Sequence, residues 1–207
     1  MKSSYIKYIT ILLVKIIFYI NKPDRIIMEG IVFQDTNQVT LEQEETTIIL
    51  QYNDKINGKG LFSDLTNIIE VDLSGCSFID MASMFSECTF LTSINFSGVD
   101  TSSVQDFCNL FNNCKSLISI DLSNSDLSHI TDFRNVFKGC QNLEFINLGN
   151  AYDESRISDD YTILLDEVTA SDLVICLNRE KALILYNSLS NGLCNVVYCE
   201  NDWKKNY

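Results

Sequence analysis

Proline, histidine, tryptophan and glycine are scarce in this chain: its 207 residues hold one, one, one and eight of them. With so little proline and glycine there is no low-complexity linker, and the chain is long enough for one domain with a continuous core. The single histidine, His129, sits in a turn with no Ser or Cys nucleophile matching it in an equivalent layer, and it leaves too few ligands for zinc. A phosphate loop of the G-x-x-x-x-G-K-S/T kind is missing as well. Positive charge is also short, with 15 Lys and Arg against 28 Asp and Glu and a net charge of −13. That balance disfavours a nucleic-acid or anionic-membrane partner. Long apolar runs are missing too. The start, MKSSYIKYITILLVKIIFYI, is interrupted by Lys15 and offers no small-residue cleavage site before Pro23. It reads as a β-strand pair rich in Ile, Tyr and Val, as a targeting or anchoring segment, or as an artefact of the gene model. Membrane association is expected only in the second case.

What the chain does have is an internal repeat between Leu61 and Asn150. Phe62, Phe85, Phe111 and Phe137 close successive units, 23, 26 and 26 residues apart. A period of this size marks a solenoid, in which each coil buries its apolar stripe against its neighbours. The first half of each unit reads L-x-x-I-x-L: Ile68, Val71 and Leu73 in the first coil, then Leu91, Ile94 and Phe96, then Leu117, Ile120 and Leu122, then Leu143, Ile146 and Leu148. This is the alternation of a short half-buried strand. The second half places Met81, Met84 and Phe85, then Phe107, Leu110 and Phe111, then Phe133, Val136 and Phe137 at spacings of three and four. That spacing predicts a short helix, with Asp80, Asp106 and Asp132 as its N-caps.

The phrases MFSECTFLTSINFS, LFNNCKSLISIDLS and VFKGCQNLEFINL resemble the M-F-x-x-C-x-x-L-x-x-L-x-L-S units of BspA-like leucine-rich-repeat surface proteins of bacteria and protists. The ordinary leucine-rich repeat carries an asparagine ladder after the strand. Here Cys76, Val99, Ser125 and Ala151 hold those places, which suits the BspA-like type. The resemblance implies an α/β leucine-rich-repeat solenoid between a β-rich N-terminal cap (residues 1–60) and a degenerate final coil with a small C-terminal cap (residues 151–207). It further implies a surface or secreted protein.

In the flanks, RIIMEGIVF, TTIILQYN, DLVICL and the Val-Val-Tyr stretch read as strands, and Glu180 to Ser190 has helical spacing. Leu164, Leu165 and Val168 are expected to form the helix of the degenerate coil. Cys88, Cys114 and Cys140 recur at 26 residues in a slot that Leu65 fills in the first coil. They are expected to be buried, reduced and inert. Cys176, Cys194 and Cys199 cluster near the C-terminus and hold either one disulfide or free thiols, according to compartment.

No catalytic constellation, cofactor motif or metal-ligand set emerges. Chemistry is expected instead from stacking, which aligns like side chains on the outward strand face. Glu70, Asp72, Asn95, Asp121, Phe145 and Asn147 form a polar, largely acidic ladder, suited to a protein or glycan ligand. The alternative is an intracellular scaffold, or the remnant of a larger surface protein.

Overall fold

In the computed structural model the described residues are 15–17, 25–29, 46–51, 55–149, 151–152, 155, 165, 167–169, 173–178, 180, 182–183, 185, 187 and 195–198. They form a parallel β-solenoid. Eleven strands run in chain order: β1 (Lys15–Ile17), β2 (Arg25–Glu29), β3 (Thr46–Gln51), β4 (Lys55–Asn57), β5 (Ile68–Asp72), β6 (Ser77–Asp80), β7 (Ser93–Asn95), β8 (Ser119–Asp121), β9 (Phe145–Gly149), β10 (Val174–Leu177) and β11 (Asn195–Tyr198). One side of the solenoid carries two sheets, ordered β1-β2-β3-β5-β7 and β11-β10-β9-β8. All their pairings are parallel except β1 with β2. A second side carries the β4–β6 pair, extended by a bridge from Ser77 to Asp100.

The register follows the repeat. Ile48, Val71 and Ile94 are partners in the first sheet, and Ile120, Ile146 and Ile175 in the second. Each points inward, as alternation along a strand with one buried face demands.

The helix expected in the second half of each coil is absent, and the physical reason is local. Ser83 and Glu87, Asn109 and Asn113, and Asn135 and Gly139 take positive φ values, as do Gly60 and Asp64 in the first coil. A left-handed residue every fourth position stops the α-helix, which needs uniformly right-handed dihedrals. The backbone instead alternates its bonds. Met84, Ser86 and Cys88 donate back three residues to Met81, Ser83 and Phe85 at 3.1 Å. Between them, Ser83, Phe85 and Glu87 donate to Cys108, Leu110 and Asn112 of the next coil at 2.8–3.0 Å. Spacings of three and four thus serve a stack of turns, so the α/β expectation gives way to an almost wholly β architecture. The degenerate coil behaves alike: Val168 N–H donates to Leu165 O at 3.0 Å, closing a turn. Near the C-terminus, residues 183, 185 and 187 are helical.

Because the turns stack as tightly as the strands, the four phenylalanines form one column. Ring centroids of Phe62–Phe85, Phe85–Phe111 and Phe111–Phe137 lie 5.4, 5.7 and 5.7 Å apart, with interplanar angles of 20°, 11° and 10°. Parallel stacking at this distance adds to area burial. Gly139 shows how little room remains: a Cβ there would lie 2.2 Å from Asn113 Oδ1, at a φ of +71°.

Phe111, with aromatic neighbours in both adjacent coils, is the central member of this column. Phe111→Ala is expected to cost about 3–5 kcal/mol in urea unfolding. Phe90→Ala, at a side chain 56% exposed, should change stability by less than about 0.5 kcal/mol. Equal effects at the two positions would refute the packing described.

Candidate functional site

The strand face is built from the outward positions of β5, β7, β8 and β9. Register places Glu70 beside Ser93 and Asp72 beside Asn95, and it places Ser119 beside Phe145 and Asp121 beside Asn147. The structure therefore brings Glu70, Asp72 and Asn95 together on the first sheet and Asp121, Phe145 and Asn147 together on the second. Their exposure differs. Glu70 and Asn95 are exposed, Asp72, Asp121 and Phe145 are intermediate, and Asn147 is 2% exposed. Cys176, next in the Asn147 row, is buried. The open part of the face runs from β5 to β8, and Asn147 does not present an accessible amide.

The row at the strand ends has a structural role that the sequence reading missed. Asp72 Oδ1 accepts from Ser74 N–H at 2.9 Å and from Asn95 Nδ2 at 3.0 Å. Asn95 Oδ1 accepts from Ser97 N–H at 3.0 Å. Asp121 Oδ1 accepts from the N–H and the hydroxyl of Ser123 at 3.0 and 2.6 Å. These are Asx turns, in which a short acceptor side chain closes the corner two residues on. The signal was present as D/N-x-S at Asp72, Asn95 and Asp121, and again at Asp100 and Asp126, whose Oδ1 atoms accept from Ser102 and Ser128 N–H at 3.0 and 2.9 Å. The Ser102 bonds, with the Lys55 charge, hold the Asp100 carboxyl below the usual carboxylate range.

Asp80, Asp106 and Asp132 do the same work where helix caps were expected. Their Oδ1 atoms accept from the N–H groups of Ala82, Cys108 and Arg134 at 2.8, 2.7 and 3.0 Å. Stacking at the 26-residue period brings Asp106, Cys108 and Asp132 together, with one ligand atom from each within 4.8 Å of the others. Burial, followed by the Asp132 and Asp80 charges, lifts the Asp106 carboxyl above its ordinary value, against the opposing Cys108 N–H and Lys59. Arg134 already engages both oxygens of Asp132 through Nε and Nη2. A zinc ion would therefore find three donors, one of them neutralised, where it prefers four.

The cysteine column is buried and reduced at Cys88, Cys114 and Cys140. The slot has a polar side that the leucine-equivalent reading did not anticipate. Each thiol donates to the carbonyl of the phenylalanine one coil earlier: Cys88 to Phe62, Cys114 to Phe85 and Cys140 to Phe111, at 3.0–3.1 Å. Burial pushes the Cys88 and Cys140 thiols up to about 12 and raises Cys114 as well. At neutral pH these groups hold their protons and are poor nucleophiles. Cys176 is disulfide-bonded; Cys194 and Cys199 lie outside the described residues. His129 is exposed, in the turn before the third Asp of the column.

Fold and side-chain placement define a repeat protein of the parallel β-solenoid class. A family model described as "Mycoplasma protein of unknown function, DUF285" matches residues 33–165, more than half of the chain, and the chain belongs to that family. No curated protein and no solved structure matches it. Among the described residues no helix is long and apolar enough to cross a membrane.

Asp106→Asn keeps the Cys108 acceptor and removes a charge crowded by Asp132 and Asp80. A carboxyl whose folded value is raised opposes folding above that value, and the penalty is relieved as pH falls through it. Asp106→Asn is therefore expected to match or exceed the parent in Tm at pH 7 and to lose that advantage near pH 4. Asp106→Ala, with the Cys108 N–H unpaired, should be less stable by about 1 kcal/mol.

Cys114 should resist a maleimide at pH 8 until the protein unfolds. The Phe85 carbonyl offers a serine hydroxyl a partner, so Cys114→Ser should cost less than the roughly 1–3 kcal/mol of an unpaired buried hydroxyl. Fast alkylation of the native protein at Cys114 would contradict the buried, protonated thiol.

Proposed function

We propose that this protein is a non-catalytic recognition module of the BspA-like leucine-rich-repeat kind, which binds an extended protein or glycan through the strand face of the solenoid. The observation that carries the reading is the open polar row on β5, β7 and β8, where Glu70, Ser93 and Ser119 stand on successive strands. Parallel pairing sets Glu70 and Ser93 about 4.8 Å apart, and Ser119 continues the row across the break between the two sheets, an elongated arrangement that suits an extended ligand better than a compact one. Asp72, Asn95 and Asp121 border this row, with Ile118 as an apolar point 46% exposed. Net negative charge favours a basic or neutral partner, with salt-sensitive encounter, over nucleic acid.

A cell-surface or secreted location fits the disulfide at Cys176, since disulfides persist in oxidising compartments. The family resemblance of the repeat phrases supports the same reading.

Asp72→Asn together with Asp121→Asn tests the proposal cleanly. Asparagine keeps the Oδ1 acceptor for Ser74 and Ser123, so the double variant should fold and melt like the parent. Binding of the parent would be screened on an oligosaccharide array and against extended lysine-rich peptides. The double variant should bind the selected ligand at least about tenfold more weakly at low salt. Unchanged affinity and unchanged salt dependence in the double variant would reduce the ladder to a set of turn-closing residues.

A further inference from the structure

Among the described residues the solenoid is continuous along its stacked turns and interrupted on the strand face. Between neighbouring coils the same strand bond recurs: Thr92 N–H to Ile69 O at 2.8 Å, Glu144 N–H to Ile118 O at 2.8 Å, and Val174 N–H to Glu144 O at 2.9 Å. Only Ile118 N–H to Thr92 O, between β7 and β8, is stretched to 3.3 Å. At the other strand end, Leu73 N–H reaches Asn95 O at 3.0 Å and Leu122 N–H reaches Asn147 O at 2.8 Å. Among the described residues the corresponding bond from Phe96 N–H to Asp121 O is not made, and β7 and β8 belong to separate sheets.

Burial gives an independent sign of the same opening. Val71, Ile120 and Ile146 are 2%, 1% and 0% exposed, whereas Ile94, in the same inward column, is only partly buried. On the turn side the two coils remain joined: Phe85 N–H donates to Leu110 O at 3.0 Å, and the Phe85 and Phe111 rings stack.

The corner after the strand supplies a cause. Gly75 and Gly98 follow β5 and β7 with φ values of +75° and +69°, and Gly75 N–H donates to Ser97 O at 3.1 Å. Asn124 holds the equivalent place after β8 and does not take a positive φ. A corner in a different backbone conformation cannot present its carbonyls to the coil before it, so the mismatch falls at this rung.

We infer that the solenoid is two rigid stacks, β3–β5–β7 and β8–β9–β10, hinged on the Phe85–Phe111 side, with the β7–β8 rung opening and closing across the strand face because the Asn124 corner is mismatched to the Gly98 corner. The inference goes beyond the recognition reading and stands whether or not that face binds anything. The Phe96 amide is the reporter, since it faces the opening and has bonded counterparts at Leu73 and Leu122. Residue-resolved hydrogen exchange on the intact chain should show Phe96 exchanging at least about tenfold faster than both counterparts. Asn124→Gly, which admits the left-handed corner of the preceding coil, should slow Phe96 towards them. Equal protection at the three amides in the parent overturns the inference, and so does an exchange rate at Phe96 that Asn124→Gly leaves unchanged.

Discussion

Every second backbone N–H in the turn half of each coil leaves its own coil for the next. The rest of the molecule depends on this alternation. A helix would keep all its hydrogen bonds to itself and hold neighbouring coils roughly 8–10 Å apart. The alternating turns let the coils approach to strand spacing on all sides. Only then do Phe62, Phe85, Phe111 and Phe137 stack at 5.4–5.7 Å. Only then, too, can a cysteine thiol reach the carbonyl of the phenylalanine one coil back. The left-handed residues that enforce the alternation are therefore as structural as the buried side chains.

The same geometry changes what the acidic composition means. Many of the carboxylates and amides that a repeat would display as a binding ladder are spent on closing corners: Asp72, Asp100, Asp121 and Asp126 after or between strands, Asp80, Asp106 and Asp132 before the turns. Their second oxygens and the exposed Glu70 keep the face polar, but its chemistry is set as much by the serine hydroxyls of Ser93 and Ser119 as by charge. Farther along, Asn147 and Cys176 are buried on the outward row, which confines the accessible face to the earlier strands.

The solenoid, its period, the inward partners Val71–Ile94 and Ile120–Ile146, and the phenylalanine stack were legible because alternation and repetition are properties of the sequence itself. The helices were misread because spacings of three and four are shared by a helix and by successive tight turns. What separates the two is the asparagine and glycine at Asn109, Asn113, Asn135 and Gly139, residues that visit the left-handed region readily. Ser83 and Glu87 occupy the same places without such a signature, held there by the neighbouring coils. The Asx turns carry a visible D/N-x-S pattern, but the same residues suit an exposed ladder equally well, and only the folded corner shows which N–H each one accepts from. The Asp106–Cys108–Asp132 group had none that a linear reading weighs, since its members meet only when coils stack.

Consider, finally, the direction in which the thiols point. Cys88, Cys114 and Cys140 each donate to a coil synthesised earlier, and the partner always lies 26 to 29 residues back. The coil-to-coil backbone bonds have a similar reach of about one period, so the entropic cost of each closure is similar. A coil leaving the ribosome meets a finished template behind it and completes that template's unsatisfied amides and carbonyls as it settles. Growth along the solenoid is thus a succession of near-identical steps, each laid on the coil before it.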